Sequence, residues 1–453
     1  MPGVQRLHIF TLSYKEESLW RKRRLSLYHT MSGGVDLKKL SALSLLLILL
    51  GSLPANQPQR NDLAGFDTKV AYPAHTYSNS HPVAEVRFER AFGGIIFFPV
   101  GVNSAGPFQF LLDTGGAGSS LNREVANRLG LKMVRGQASV SGNAALEVGV
   151  IPEATIRVGQ SQFKGQFIAA PLSPLEPIFG RLLEGILGGN FMRQYVVELD
   201  FEKHVMRLYE PTLFQYGGQG VALPFSLVSG IPFIDLEVSL PNGKSALGSF
   251  LVDTGGNMVV HVYKQVAERD GLLDRLPTLE ETGYGIGGGE TKRVAARGSA
   301  LLIGQYRFAR PIVVFTEDTA GLRANPASTG LVGMEALRRF KVTFDYSRNR
   351  MYLEPNRSFN EPFVYDASGL SLRASRPSFS PPVVSGVRDL SPAREAGIER
   401  GDVILRIDGR STSGASLEVI REMLKQPDKT YKIRLSRGQK TIEVVLMTRE
   451  MLN

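Results

Sequence analysis

The sequence predicts a mainly β protein built from two similar lobes, with a small α+β domain after them, and three observations lead there. The chain repeats itself: a stretch of roughly 140 residues occurs twice in succession, the kind of self-similarity to read before any local structure. Glycine (48) and proline (25) are plentiful enough to punctuate many short strands with turns, which suits β architecture better than a helical bundle. The last part of the chain lacks the repeat. It carries one segment, ASLEVIREMLKQ, whose apolar Leu417, Ile420, Met423 and Leu424 share a helix face, flanked by strand-like DVILRIDG and KTIEVVLM.

A chain of 453 residues is longer than one core usually organises, and a prior of roughly 150 residues per domain suggests about three units. Cysteine is absent, which excludes disulfides, thiolate metal sites, thiol nucleophiles and a lipidated cysteine. The formal net charge of +10 invites a nucleic-acid reading, but part of it lies in residues 1–39, and no basic run interleaved with aromatics follows. Scattered Lys and Arg read as solvated faces, so no nucleic-acid partner is expected.

Lys38 and Lys39 precede the apolar run LSALSLLLILLGSLPANQ, with Ala55 a processing point before polar sequence. This reads as a signal peptide on an exported chain, periplasmic or extracellular. The run falls short of the roughly 20 residues that cross a bilayer comfortably, so a permanent anchor is the alternative and the only membrane contact expected. Residues 1–30 do not suit a short basic leader, whereas a start at Met31 would give an ordinary one. The expected layout is an N-terminal extension and signal peptide over 1–55, a linker over 56–82, lobes at 83–215 and 216–356, a second linker at 357–368 and the α+β domain at 369–453. That second linker, within NRSFNEPFVYDAS, reads as flexible and leaves the final domain free-standing.

Copy one contains IIFFPVGVNSAGPFQFLLDTGG at 95–116 and copy two IPFIDLEVSLPNGKSALGSFLVDTGG at 231–256. In each, an apolar strand, a Gly/Asn turn and a second apolar strand lead into the same tetrapeptide. The match continues downstream. ATIRVGQSQFKG aligns with ALLIGQYRFAR, pairing Gly159 with Gly304 and Phe163 with Phe308. GILGGNFMRQYVVELDFEKHVMRLYEP aligns with GLVGMEALRRFKVTFDYSRNRMYLEP, pairing Gly188 with Gly333 and Asp200 with Asp345. A short amphipathic helix is predicted after each DTGG, over NREVANRLGL and VYKQVAERDGL.

A repeated acidic motif matters because some reactions need two carboxylates at one point. If the lobes pack about a pseudo-two-fold axis, Asp113 and Asp253 meet near it. Two touching carboxylates cannot both ionise cheaply, so one proton is shared: one group acts as base toward water while the other donates to a carbonyl. Such a pair needs no metal and no cofactor. Gly115 and Gly255 let the backbone approach the pair closely, and Thr114 and Thr254 carry hydroxyls able to hydrogen-bond across the axis.

With FLLDTGGAGSS, FLVDTGGNMVV and the downstream ILG at 186–188 and LVG at 331–333, the chain resembles retropepsin-like aspartic peptidases. The presence of both lobes in one chain resembles the pepsin arrangement. The resemblance covers about 270 residues. It implies a bilobal pepsin- or retropepsin-like β-barrel protease whose catalytic residues are Asp113 and Asp253, cutting peptide or protein substrates, with each apolar-apolar-Gly strand packed beside its own catalytic loop. Gly116 and Gly256 depart from the family, where pepsin-like chains carry Ser or Thr, and this puts an outer hydrogen bond to the carboxylate in doubt. The departure leaves a non-catalytic peptide-binding protein of the same fold as the alternative. The family's substrate-covering hairpins map onto SVSGNAALE at 139–147 and GYGIGGGE at 283–290, with Gly142, Tyr284 and Gly285 as flap candidates.

Other chemistries find less support. The formal GxGxxG at Gly283, Gly285 and Gly288 is followed by strand-like RVAARGSALLIG rather than a helix, so it is not a nucleotide cradle. No histidine falls in a zinc spacing and no GxSxG elbow appears. His261 reads as a helix-start or surface residue, and Asp200 and Asp345 as turn caps. In the final unit, LSPAREAGIERGDVILRIDGRS at 390–411 resembles the PDZ domains of bacterial periplasmic peptidases. That resemblance implies a groove where an extended peptide adds as a strand, with Gly369, Leu370, Ser371 and Leu372 as the loop that captures a C-terminal carboxylate. A PDZ fold that merely packs on the lobes is the competing reading.

Overall fold

A computed structural model describes residues 81–139, 145–284, 290–316 and 328–452 of the chain. The apolar run read as a signal peptide, nearly all of the expected 56–82 linker, and the flap candidates Gly142 and Gly285 lie outside those residues. The protein is mainly β. In copy one, Ile95–Val102 and Ala105–Leu112 form an antiparallel hairpin with Phe97 opposite Leu111, turning at Asn103, and Gly185–Leu187 runs parallel beside its second strand. The eight-stranded sheet then closes on itself, because Gly101 and Val102 also pair with Arg157 and Ile156 of the long strand Ala145–Val158. Copy two repeats the plan: Ile231–Ser239 pairs with Ser245–Asp253, and Gly330–Gly333 runs parallel to the latter, bringing Asp253 opposite Gly333. Strands buried on both sides explain why these segments read as near-continuous apolar runs rather than as alternating ones.

The repeat's third block builds something that neither lobe makes alone. Val196–Asp200 of the first copy pairs antiparallel with Phe340–Asp345 of the second, Val197 opposite Phe344 and Leu199 opposite Val342, at the centre of a six-stranded sheet shared by both lobes. The aspartates that end these two strands cap their turns: Asp200 accepts from the Lys203 N–H at 3.0 Å, and Asp345 from the Arg348 N–H at 3.2 Å. The short helices Arg123–Arg128 and Lys264–Arg269 follow the two DTGG loops, each burying one valine and one alanine. His261 is neither at a helix start nor on the surface. It is buried in Val260–Tyr263, a strand paired on both sides by Ile312–Thr316 and Gly330–Gly333.

The final unit has a core of its own, with Leu417, Ile420 and Leu424 of the Leu417–Leu424 helix packed on a sheet that includes Leu370–Arg373, Val383–Val387, Val403–Ile407, Thr430–Arg437 and Lys440–Met447. Residues 357–368, read as a flexible linker, instead complete the second lobe. Phe359 and Phe363 join Phe308 and Phe340 in an aromatic cluster. The fully buried Arg339 guanidinium lies 3.9 Å from the Phe363 ring and donates to the carbonyls of Ser358, Glu361 and Pro362. Arg297, also buried, ties the carbonyls of Phe363 and Leu452 together. The polar composition of the segment concealed two aromatic anchors and a row of carbonyl acceptors for buried arginines.

Candidate active site

Each DTGG loop leaves the end of a strand, and its own lobe holds it from beside. The Asp113 N–H donates to the Leu187 carbonyl and the Gly189 N–H to the Gly116 carbonyl; in the second lobe the Met334 N–H donates to the Gly256 carbonyl. Contact is so close that a Cβ at Gly188 would lie 2.2 Å from the Gly118 carbonyl oxygen, so no side chain fits where the apolar-apolar-Gly strand passes the loop.

Across the lobe boundary the two threonines interlock. Thr114 N–H donates to Thr254 Oγ1 at 2.9 Å and Thr254 N–H to Thr114 Oγ1 at 3.0 Å. Each hydroxyl then donates to the carbonyl preceding the other's aspartate, Thr114 to Val252 at 2.6 Å and Thr254 to Leu112 at 3.0 Å. All these groups are buried, so six polar atoms that would be costly to leave unpaired satisfy one another through four bonds.

This interlock brings Asp113 and Asp253 together. Gly115 N–H donates to Asp113 Oδ1 at 2.8 Å and Gly255 N–H to Asp253 Oδ1 at 2.9 Å. A Cβ at Gly255 would lie 2.7 Å from Asp113 Cγ, and one at Gly115 3.0 Å from Asp253 Oδ1, which leaves glycine as the residue that fits. The two carboxyls are neighbours: Asp253 Oδ1 and Asp113 Oδ1 lie 3.0 and 3.1 Å from the same Cβ position at Gly115. Burial first, and then the charge of Asp253, push the Asp113 carboxyl well above the usual carboxylate range, against the opposing pull of the Gly115 N–H. Asp113 is buried while Asp253 is only half-buried.

The glycines after the motif differ in their surroundings. A Cβ at Gly116 would sit 3.4 Å from the Gly118 carbonyl and 3.5 Å from Asp113 Oδ2, in ordinary contact, whereas one at Gly256 would meet Met258 at 2.6 Å and Asp253 Oδ2 at 2.7 Å. One further residue carries no sequence signal. Tyr346 has a buried hydroxyl with no hydrogen-bond partner among the described residues. Its pKa is raised, by burial above all, with Arg193 opposing and Asp113 adding to the shift. Tyr346 follows a turn-capping aspartate in the shared sheet, so only the tertiary arrangement places it near the pair.

The segments read as flaps are flanked by paired strands: Val134–Ser139 pairs with Ala145–Val158, and Leu279–Tyr284 with Glu290–Arg297, Tyr284 opposite Glu290. Tyr284 thus ends a strand, while Gly142 and Gly285 lie outside the described residues. Among the described residues no group of three acidic or histidine side chains is placed to hold a metal ion.

In the final unit, the candidate carboxylate loop already has internal partners. Gly369 N–H donates to Asp366 Oδ2 at 2.9 Å and Leu370 N–H to Ser368 Oγ at 3.2 Å. Leu370, Ser371 and Leu372 lie in a strand paired with Val383–Val387. The Leu372 carbonyl accepts from Arg421 at 2.7 Å, and the Ala374 N–H donates to the Pro177 carbonyl of the first lobe at 2.9 Å. Two alternate positions, Leu372 in this strand and Ala374 just after it, are therefore occupied from within the chain.

Among protein-family models, residues 98–191 match that of the aspartyl protease and residues 383–435 that of the PDZ domain. No curated protein matches the chain. The first match spans the Asp113 loop and the strand beside it, and the second spans most of the final unit, in the order that the sequence resemblance implied.

Proposed function

We propose that the chain is an aspartic endopeptidase in which Asp113 and Asp253 share one proton and activate water against a peptide carbonyl. The observation that carries this reading is the reciprocal Thr114–Thr254 bonding, which holds two carboxyls from two lobes side by side. The more buried Asp113 keeps the proton and the half-exposed Asp253 is the ionised partner. Asp253 takes a proton from water as its oxygen attacks the carbonyl carbon, while Asp113 gives its proton to the carbonyl oxygen. The resulting gem-diol collapses when Asp113 recovers a hydroxyl proton and Asp253 delivers its own to the amide nitrogen. The C–N bond breaks, and the pair returns to its starting state.

The lobes at 83–215 and 216–356 together form the catalytic part on this reading, and the strand pairs begun by Val134–Ser139 and Leu279–Tyr284 lie over the substrate. The apolar run after Lys39 directs export. The test is mass spectrometry of a mixed peptide library incubated with the purified chain across pH. The proposal expects cleavage with a bell-shaped pH profile, unchanged by a chelator or a serine-reactive reagent. Cleavage lost to the chelator and restored by a divalent metal would assign another mechanism, and no cleavage at any pH would leave a peptide-binding protein of this fold.

A further inference from the structure

The final unit touches the first lobe at Glu176 and Pro177, through Arg376 and Ala374, and at the turn around Phe92 and Gly93, and this last contact leads toward the Asp253 loop. Glu418, in the first turn of the Leu417–Leu424 helix, accepts from two successive backbone N–H groups, Phe92 at 2.6 Å and Gly93 at 2.9 Å. Those residues form a turn with positive φ at Phe92 (+49°), Gly93 (+75°) and Gly94 (+106°), conformations that a phenylalanine adopts only when its surroundings hold it there. The Arg421 guanidinium of the same helix covers the Phe92 ring at 4.7 Å while bonding the Leu372 carbonyl.

On its far side the turn rests on the second lobe. A Cβ at Gly93 would lie 3.1 Å from Asn257 Cβ, and one at Gly94 3.2 Å from Arg338 Cδ. Asn257 follows Gly256 in the loop that begins at Asp253. Arg338 follows the short helix Met334–Leu337, whose first two N–H groups donate to the carbonyls of Gly256 and Met258. Burial alone would raise the pKa of Glu335 in that helix, but Lys425 of the final unit, with Arg338 and Arg339, holds it below its usual range. The turn thus stands between the helix of the final unit and the loop carrying Asp253.

We propose that the final unit is docked on the lobes as a brace, and that Glu418 is a positioning residue: by fixing the Phe92–Gly94 turn it backs Asn257 and holds the Asp253 loop in register. The functional half of this inference rests on Asp253 being catalytic; the structural half does not. A charge-assisted pair of bonds is strong enough to matter at this distance, because a loop misplaced by an ångström loses much of its chemistry.

The experiment compares full-length wild type with Glu418→Ala, Glu418→Gln and, as a control on the exposed face of the same helix, Val419→Ala. Hydrogen exchange is read over residues 254–258, and kcat and KM are read on a short peptide. The brace expects Glu418→Ala to speed exchange in that loop about tenfold and to lower kcat by a similar factor with KM little changed. Glu418→Gln, which keeps one acceptor, should fall between it and wild type, and Val419→Ala should match wild type. If the alanine variant does not fold, the glutamine variant decides alone. Loop exchange equal to wild type in folded Glu418 variants overturns the brace. A wild type that cleaves nothing overturns the catalytic reading, while the exchange data still decide the brace.

Discussion

Thr114 and Thr254 stand in a reciprocal relationship: each side-chain oxygen accepts the other's backbone N–H and donates to the carbonyl that precedes the other's aspartate. One residue type supplies both halves of the bond from both lobes, so the interlock is symmetric although its two loops are not equally buried. Thr114→Val keeps the shape and removes both bonds, stranding the Thr254 N–H and the Val252 carbonyl at about 1–3 kcal/mol each. The variant should melt at lower temperature and lose about a hundredfold in activity as the carboxyls drift apart. Thr114→Ser keeps the hydroxyl and should stay within about threefold of wild type. Thermal denaturation and peptide cleavage measured on both variants check this.

Asp113 links stability to pH. Its folded-state pKa lies above the unfolded value, so between the two the folded chain holds a proton that the unfolded chain releases. Unfolding free energy therefore falls as pH rises from about 3.9 through the folded pKa, and stays lowered above it. Asp113→Asn removes that penalty. Denaturant midpoints should show the variant more stable than wild type near neutral pH, with the difference vanishing near about pH 3.

Gly116 and Gly256 should respond differently to serine. At Gly116 there is room, and the new hydroxyl can donate to Asp113 Oδ2, favouring the ionised form and moving the bell-shaped activity profile to lower pH. At Gly256 the Cβ meets Met258 and Asp253, so Gly256→Ser should destabilise the fold by about 1–3 kcal/mol through overpacking. Equal effects of the two substitutions on stability would contradict these surroundings.

Removal of residues 357–453 should not release an independent protease. Arg339 would lose the carbonyls of Ser358, Glu361 and Pro362 and the Phe363 ring, leaving a charge in the core at about 3–5 kcal/mol. The truncated chain should be aggregated or lack a cooperative melt. A truncated chain that melts like the intact one would show that the segment after Pro355 is dispensable.

The two lobes and the final domain were legible because repetition and apolar patterning are local properties of the sequence. The closure of the first sheet by Gly101 and Arg157 and the shared sheet of Val197 and Phe344 were not, since they depend on pairings between distant strands. Asp113 and Asp253 drew attention by recurring, whereas Tyr346 comes near Asp113 only through tertiary packing. His261 misled because its neighbours resembled a helix start, and a fully paired strand buries it. The 357–368 segment misled by composition: its Asn, Ser and Pro resemble a linker, while Phe359 and Phe363 do the packing. Glu418 sits on the polar side of an amphipathic helix, where one sequence cannot distinguish a solvated carboxylate from one capturing a distant turn.

Both aspartates are required on this account, because half a pair can neither take a proton from water nor polarise the carbonyl. The most direct measurement is cleavage of the peptide library by Asp113→Asn and Asp253→Asn, each first shown folded by its circular dichroism and cooperative melt. The account predicts cleavage by wild type and none above background by either variant. Substantial cleavage by either folded variant would contradict it.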